Sequence, residues 1–220
     1  MKKLLFTLVL ILPLLSCSLF KTTYQGEKTA EELISEGSAA FVAQEYRTAI
    51  SAFTNLKDWY PFSKYAILAE LKIGDAHFAL KEYDEAILAY EEFERMHPKN
   101  EAIPYVIYRT GLCWFNQIDS VDRDSTPAQK AIVQFNRLIE RFPESEHVAD
   151  ARKNIQISTE NLSGHELYVA NFYMKAEQYQ AALKRYEGIV QNYPGSKESK
   201  EALNQIPKCR ELIKQSTDSK

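Results

Sequence analysis

The histidines are the first residues to test for chemistry in this chain, because imidazole binds metal ions and transfers protons near neutral pH. A structural zinc site needs several histidine or cysteine ligands at short, characteristic spacings. None of the 4 histidines has a second histidine or cysteine at such a spacing. They are His77, His97, His147 and His165. The sequence therefore predicts no metal site.

A short acidic segment is the second candidate for chemistry. Asp119, Asp122 and Asp124 stand close together and suggest a calcium loop. The glycine and the terminal glutamate that an EF-hand loop requires are missing. The segment is better interpreted as a solvated loop, although an exposed, ordered loop can bind a partner.

Motifs for catalysis and for cofactors are missing. The chain has no G-x-S-x-G nucleophile motif, no phosphate-binding loop and no dinucleotide fingerprint. Its acidic pairs fall on polar helix faces. An enzyme, for example a periplasmic hydrolase, would need a convergent set of histidine, serine or cysteine that this sequence does not offer. The prediction is a protein that is not an enzyme and needs no cofactor.

The chain instead contains a frame that returns four times, with an alanine, an aromatic residue four positions later and a proline twelve positions after the alanine. The instances are Ala49/Phe53/Pro61, Ala86/Tyr90/Pro98, Ala131/Phe135/Pro143 and Ala182/Tyr186/Pro194. Further apolar residues follow one and seven positions after each alanine, which gives one apolar stripe on a helix. The frame is typical of the second helix of a helix-turn-helix repeat. Solenoids of such repeats bind other proteins.

Helix boundaries follow from the same frame. A residue before proline is pushed out of the α region, so each second helix should end there. Helix N-cap candidates stand two residues after each proline: Ser63, Asn100, Ser145 and Ser196. Thr29 and Glu32 form a capping box that opens the first helix. His77 lies where these repeats carry a packing aromatic, which favours a core or rim position.

Small residues mark the first helix of each pair, at the positions where the tetratricopeptide pattern has its small residue. Gly37 and Gly74 lie twelve residues before Ala49 and Ala86, which gives repeats at about 29–61 and 63–98. In repeat three, eight extra residues separate Gly111 from its alanine, within Asn116 to Ser125. Thr126 is expected to cap the following helix, with a proline at its first position and Gln129 completing the capping box.

Repeat four carries a second insertion. Ala170 occupies the position that glycine has in the other repeats. It lies fourteen residues later than the spacing of those repeats predicts. With few breakers apart from Ser163 and Gly164, we expect one extended helix, or two, between repeats three and four. A last helix from about Glu198 to Lys214 should cap the array, with a kink at Pro207.

The predicted fold is therefore an all-α tetratricopeptide-repeat α-solenoid of four repeats plus a C-terminal capping helix. The expected organisation is a signal peptide (1–16), a lipidated tether (17–28), repeats one to three (29–144), a segment with the linking helix, repeat four and the capping helix (145–214), and a polar tail (215–220).

The N-terminus predicts export and lipidation. Lys2 and Lys3 precede an apolar run of 12 residues, Leu4 to Leu15, which is too short to span a bilayer stably. Cys17 follows in a context that resembles the bacterial lipobox, so it is expected to be lipidated; the alternative is an ordinary signal peptide with an incidental cysteine. Ser18 after the cysteine resembles the sorting signal for the outer membrane.

Charge excludes one class of partner. The formal net charge is −3, and loss of Lys2 and Lys3 with the signal makes it −5. A mildly acidic chain has no electrostatic footprint for nucleic acid.

Two cysteines remain after Cys17. Cys113 has apolar neighbours and is best interpreted as an inert buried thiol, while Cys209 lies in the last predicted helix. A disulfide between them is the alternative, because a periplasmic setting permits one.

Aromatic residues supply the remaining candidates for binding. Several lie near junctions between repeats: Tyr60, Phe62, Tyr65 and Tyr105. They either line a groove for an apolar or aromatic peptide or pack repeat against repeat.

Three parts of the sequence together resemble one family. They are the lipobox, the stretch WYPFSKYAILAELKI (Trp59 to Ile73) and the stretch DRDSTPAQKAIVQFNRLIERFPES (Asp122 to Ser145). With Glu166 to Pro194, they resemble the BamD, or ComL-type, lipoproteins of the outer-membrane β-barrel assembly machinery. The resemblance covers essentially the whole mature chain.

The resemblance implies a lipoprotein that is held on the periplasmic side of the outer membrane and docks on a POTRA domain of the central barrel-assembly protein. The family's docking arginine corresponds to Arg185. The family's N-terminal repeats bind unfolded barrel precursors, which points to Phe62 and Tyr65. Other assembly lipoproteins are further expected partners, although the C-terminus is shorter than in much of the family. The alternatives in the same class are a pilotin or a coordinator of cell-wall synthesis.

Overall fold

The computed structural model describes residues 27–218, and all regular structure in this range is α-helical. The helices are α1 (Ala30–Val42), α2 (Tyr46–Trp59), α3 (Ala66–Ala79), α4 (Tyr83–Met96), α5 (Ile103–Phe115), α6 (Thr126–Arg141), α7 (Val148–Lys175), α8 (Tyr179–Asn192) and α9 (Lys197–Asp218). The predicted signal segment, Cys17 and most of the predicted tether lie outside the described residues. No helix within 27–218 combines the length and the apolar character needed to cross a bilayer.

Each helix packs against the next one along the chain, which produces an α-solenoid. The pairs α1/α2, α3/α4 and α5/α6 form three repeats, and the second half of α7 pairs with α8 to form the fourth. Helix α9 covers the end of the array and contacts both α8 and α7. The predicted four-repeat solenoid with a capping helix is confirmed.

The repeat frame forms the core of each pair. The four repeat alanines and the aromatic residues that follow them are all fully buried. Each of the first three rings lies against a glycine of the preceding helix, where a Cβ would come within 2.4 Å of Phe53, 2.7 Å of Tyr90 or 2.6 Å of Phe135. Those glycines are Gly37, Gly74 and Gly111. They are required because the two helices approach so closely there.

A tyrosine in this core needs a hydrogen-bond acceptor, since an unpaired buried hydroxyl is costly. The Tyr90 hydroxyl donates to Asp75 at 2.8 Å, and the Tyr186 hydroxyl donates to Asn171 at 2.6 Å. Asp75 and Asn171 both stand directly after the small residue of their repeat. In repeats one and three the ring is phenylalanine, and no acceptor is needed.

The prolines end the second helices as predicted. Helices α2, α4, α6 and α8 all stop two residues before their proline. The residue between has an extended φ of −127° to −138°, and its N–H donates to the residue seven after the repeat alanine. The steric effect of proline on its predecessor therefore sets the end of each second helix.

The predicted helix starts are correct at Thr29 and Ser196 and displaced elsewhere. Ser196 directly precedes α9, and its hydroxyl accepts from the backbone N–H of Ser199 at 2.9 Å. The capping box between Thr29 and Glu32 is present. Helix α6, in contrast, already includes Thr126, and no side chain of its N-cap residue Ser125 caps it. Asp124 takes over this role, because its carboxylate accepts from the backbone N–H of Thr126 at 2.9 Å and from its hydroxyl at 2.8 Å.

At Ser63, Asn100 and Ser145, the predicted N-cap residue instead begins a turn that precedes the helix. Its side chain accepts from the N–H two residues later, and the next helix starts three residues after the predicted N-cap residue.

Helix α7 is one continuous helix of 28 residues, so the single-helix alternative is correct. Ser163 and Gly164 do not interrupt it, because both serve in packing. The Ser163 hydroxyl donates to Glu198 of α9 at 3.0 Å, and a Cβ on Gly164 would lie 2.8 Å from Val121. At 1.5 Å per residue, α7 is about 42 Å long.

The last helix passes through Pro207 and runs to Asp218, four residues beyond its predicted end at Lys214. The predicted polar tail is helical up to this point. The Thr217 hydroxyl has a partner inside the helix, since it donates to the carbonyl of Ile213 at 2.9 Å.

Candidate functional site

Arg185 lies on the outer face of α8 and forms an ion pair with Glu166 of α7. Its Nη1 donates to Oε2 of Glu166 at 2.7 Å, and the two side chains are 45% and 31% exposed. Both charges thus remain accessible to solvent. An ion pair this exposed contributes about 0–1 kcal/mol to folding.

An open cavity of about 480 Å³ surrounds this pair, and we call it the basic pocket. It is lined by Glu166, Tyr173, Ala181, Lys184, Arg185, Gly188, Asn192 and Tyr193. The α8 residues of this set recur at three- and four-residue intervals, so one face of the helix forms a wall of the pocket.

The charges of the pocket favour an acidic ligand. Glu166 is its one carboxylate, against the two cations Lys184 and Arg185. Lys184 is exposed and has no ion-pair partner within residues 27–218. Burial, together with the nearby charge of Glu166, raises the pKa of Tyr193, so its hydroxyl stays protonated and able to donate. A partner carboxylate would meet two cations and a hydroxyl donor here.

A second surface lies at the junction of repeats one and two, where four large apolar side chains are exposed. They are Trp59 (53%), Phe62 (101%), Ile67 (40%) and Leu68 (45%), which we call the junction residues. They lie at the end of α2, in the turn and in the first turn of α3. Apolar exposure concentrated in so short a segment is characteristic of binding surfaces.

The other aromatic candidates are engaged in packing. Tyr65 is half-buried against the core of repeat one, with Lys64 Nζ 4.9 Å from its ring centroid. The Tyr60 hydroxyl donates to the carbonyl of Lys28 at 2.9 Å, and the Tyr105 hydroxyl donates to Asp75 at 2.7 Å. Of the predicted groove residues, only Phe62 presents its whole side chain to solvent.

A buried polar network joins repeats two and three. Asp75 is 4% exposed and accepts hydrogen bonds from Tyr90, Tyr105 and Lys72, the last at 2.8 Å. Arg109 Nε donates to the Tyr90 hydroxyl at 3.1 Å. The network therefore fixes α5 of repeat three against α3 and α4 of repeat two.

The two insertions contact each other. The Asn161 side chain of α7 donates to the carbonyl of Asp119 at 2.9 Å, and Nδ1 of His165 donates to the carbonyl of Val121 at 2.8 Å. Val121 also covers Gly164. The acidic loop of repeat three is therefore fixed on the linking helix, directly before the segment that carries Glu166.

The remaining reactive groups have structural partners. Among residues 27–218 no group of histidine, cysteine and acidic residues could hold a metal ion. Cys113 and Cys209 are free, buried thiols in different core clusters, so the disulfide alternative is wrong. Burial raises the pKa of Cys113 to about 12, which makes its thiol inert. His147 stacks on Tyr108, with ring centroids 4.6 Å apart.

The paired helices define a solenoid of the tetratricopeptide-repeat class, a class of fold that often presents extended binding surfaces. A sequence profile described as "Outer membrane lipoprotein", YfiO, matches residues 26–217. The chain belongs to this family, whose members are associated with the outer membrane.

Named relatives agree with this assignment. The outer membrane protein assembly factor BamD of Neisseria meningitidis (serogroup A) is 30% identical, over 92% of this chain and 82% of the relative. BamD of Vibrio cholerae is 28% identical over 78% of this chain and 76% of the relative. BamD of Caulobacter vibrioides is 28% identical over 83% of this chain and 60% of the relative.

Among solved structures, the TPR2AB domain of yeast Sti1 is similar over 86% of this chain and 75% of that chain, with 16% identity and a TM-score of 0.48.

Proposed function

We propose that this protein is a non-enzymatic component of the machinery that assembles β-barrel proteins into the outer membrane. The observation that carries the proposal is family membership over residues 26–217, together with relatives named as outer membrane protein assembly factors. Lipidation at Cys17 would hold the chain on the periplasmic side of the membrane. A lipid anchor of more than one acyl chain is sufficient for stable attachment.

The basic pocket is the proposed docking site for the POTRA domain of the central barrel-assembly protein. Arg185 is proposed to bind an acidic residue of that domain. Support comes from the excess of cations over carboxylates in the pocket and from Lys184, which has no ion-pair partner within residues 27–218. Docking there leaves the junction residues, in repeats one and two, free for another ligand. Other assembly lipoproteins are proposed as additional partners.

The junction residues are the proposed contact for unfolded barrel precursors, with Phe62 as the main contact and the half-buried Tyr65 as a second one. An exposed apolar surface binds degenerate apolar segments without strict sequence requirements. The full exposure of Phe62 supports this role, because its side chain contributes little to the core.

Crosslinking tests this assignment. We expect a photo-crosslinker at Phe62 to trap barrel-precursor peptides several-fold more efficiently than one at Leu203. Leu203 is the matched control, since it is an apolar residue of α9 with 53% exposure. Crosslinks that form only at positions after residue 165 would place the precursor site elsewhere.

Depletion of the protein tests the overall function. We expect barrel proteins to disappear from the outer membrane before other envelope functions fail. A first defect in pili would indicate a pilotin, and a first defect in division would indicate a coordinator of cell-wall synthesis.

A further inference from the structure

Gly188 differs from the glycines in the repeat cores. It lies inside α8, one turn after Lys184, and lines the basic pocket. A Cβ at Gly188 would meet no atom within 4 Å. Packing within the chain therefore does not require a glycine at this position, whereas it does at Gly74 and Gly111.

Backbone conformation does not require this glycine either. Gly195 is the described glycine with a positive φ, at 86°, while Gly188 has the conformation of a regular helix. Glycine inside a helix is less favourable than alanine, because it loses more backbone entropy on folding. Gly188 thus lowers the stability of the folded chain slightly, and no internal contact that requires glycine compensates for this loss.

We propose that Gly188 is the point at which the docking partner's backbone approaches α8. The inference rests on the docking function proposed for Arg185, and it specifies how the partner lies in the pocket. The occupant is an acidic loop or strand edge of a folded protein, whose carboxylate binds Arg185 and Lys184. Its main chain then crosses the helix one turn further on.

The arrangement of the pocket supports this occupant. Arg185 and Lys184 lie three and four residues before Gly188, so all three occupy neighbouring positions on one helix face. A side chain at Gly188 would project into the cavity of about 480 Å³ and occupy space that the partner needs. Pairing of Arg185 and Lys184 with a partner carboxylate makes the contact selective for an acidic ligand. The absence of a side chain at Gly188 makes it selective for a ligand whose main chain lies close to the helix.

Substitution of Gly188 separates docking from folding. We expect Gly188→Gln to fold with an unchanged helical circular dichroism spectrum and a melting temperature raised by about 2–4 °C, as for a helix-favouring substitution that meets no neighbouring atoms. Co-purification of the central barrel-assembly protein with the tagged full-length chain should fall at least tenfold. Gly188→Ala should show a smaller loss.

Ser51→Gln is the matched control, because it places the same side chain at an exposed position of α2. It should leave co-purification unchanged. If Gly188→Gln keeps the partner while Arg185→Glu loses it, docking stands and the close approach at Gly188 is refuted. If neither variant loses the partner, the docking proposal fails together with the inference.

Discussion

Arg185→Glu is expected to abolish co-purification of the central barrel-assembly protein while the chain remains folded. The change removes an exposed ion pair with Glu166, which contributes at most about 1 kcal/mol to folding. At an interface it replaces attraction to a carboxylate by repulsion, and loss of one partner of such a pair costs about 2–5 kcal/mol. Binding should weaken at least about 30-fold, since 1.4 kcal/mol corresponds to a factor of ten.

Arg210→Glu is the control for this experiment. Arg210 of α9 forms an exposed ion pair with Glu187 at 2.8 Å, and it does not line the basic pocket. The same reversal of charge should leave the partner bound. Equal retention of the partner by both variants would show that Arg185 does not dock it.

Asp75→Ala is expected to lower the free energy of unfolding by about 3–5 kcal/mol, because it removes the acceptor at the centre of a buried network. Tyr90 and Tyr105 lose their hydrogen-bond acceptor, and Arg109 loses the carboxylate 4.0 Å from its Nε. Buried donors without partners retain their full desolvation cost. Urea denaturation, followed by circular dichroism, measures the change.

The matched substitution Asp58→Ala concerns an exposed aspartate near the end of α2 and should change stability by less than about 0.5 kcal/mol. Asp75→Asn should lie between the two, since an amide oxygen can still accept. A variant Asp75→Ala as stable as Asp58→Ala would show that the network does not hold repeats two and three together.

The solenoid could be predicted from sequence because its determinants are local and recur. Alanine, an aromatic ring and proline at fixed spacing specify a helix face and a helix end, and four copies reinforce the assignment. Gly37, Gly74 and Gly111 could be placed for the same reason, since each one faces the ring of its own repeat.

Features that depend on contacts between repeats could not be predicted. An acidic residue on a predicted helix gives no indication that it is buried, yet the Asp75 carboxylate accepts hydrogen bonds from Tyr90 of α4 and Tyr105 of α5. Likewise, Ser163 and Gly164 have the residue types of helix breakers. Only the structure shows that α7 continues through them and that they contact α9 and the acidic loop.

The turns inside three repeats could not be predicted either. Gln44, Lys81 and Glu177 adopt a left-handed conformation with φ of 58° to 62°, always five residues before the repeat alanine. Glycine or asparagine is the usual residue for this conformation, so glutamine, lysine and glutamate at these positions do not indicate a left-handed turn. In the candidate site, the family resemblance identifies Arg185 from the sequence. Its ion pair with Glu166 could not be predicted, because it depends on how α7 packs on α8.

The amount of β-barrel protein in the outer membrane after depletion of this chain tests the central claim most directly. Quantitative mass spectrometry of outer-membrane fractions should show a loss of most barrel proteins, restored by the wild-type chain and by Arg210→Glu but not by Arg185→Glu. Barrel proteins that persist at normal levels through depletion would contradict the assembly function.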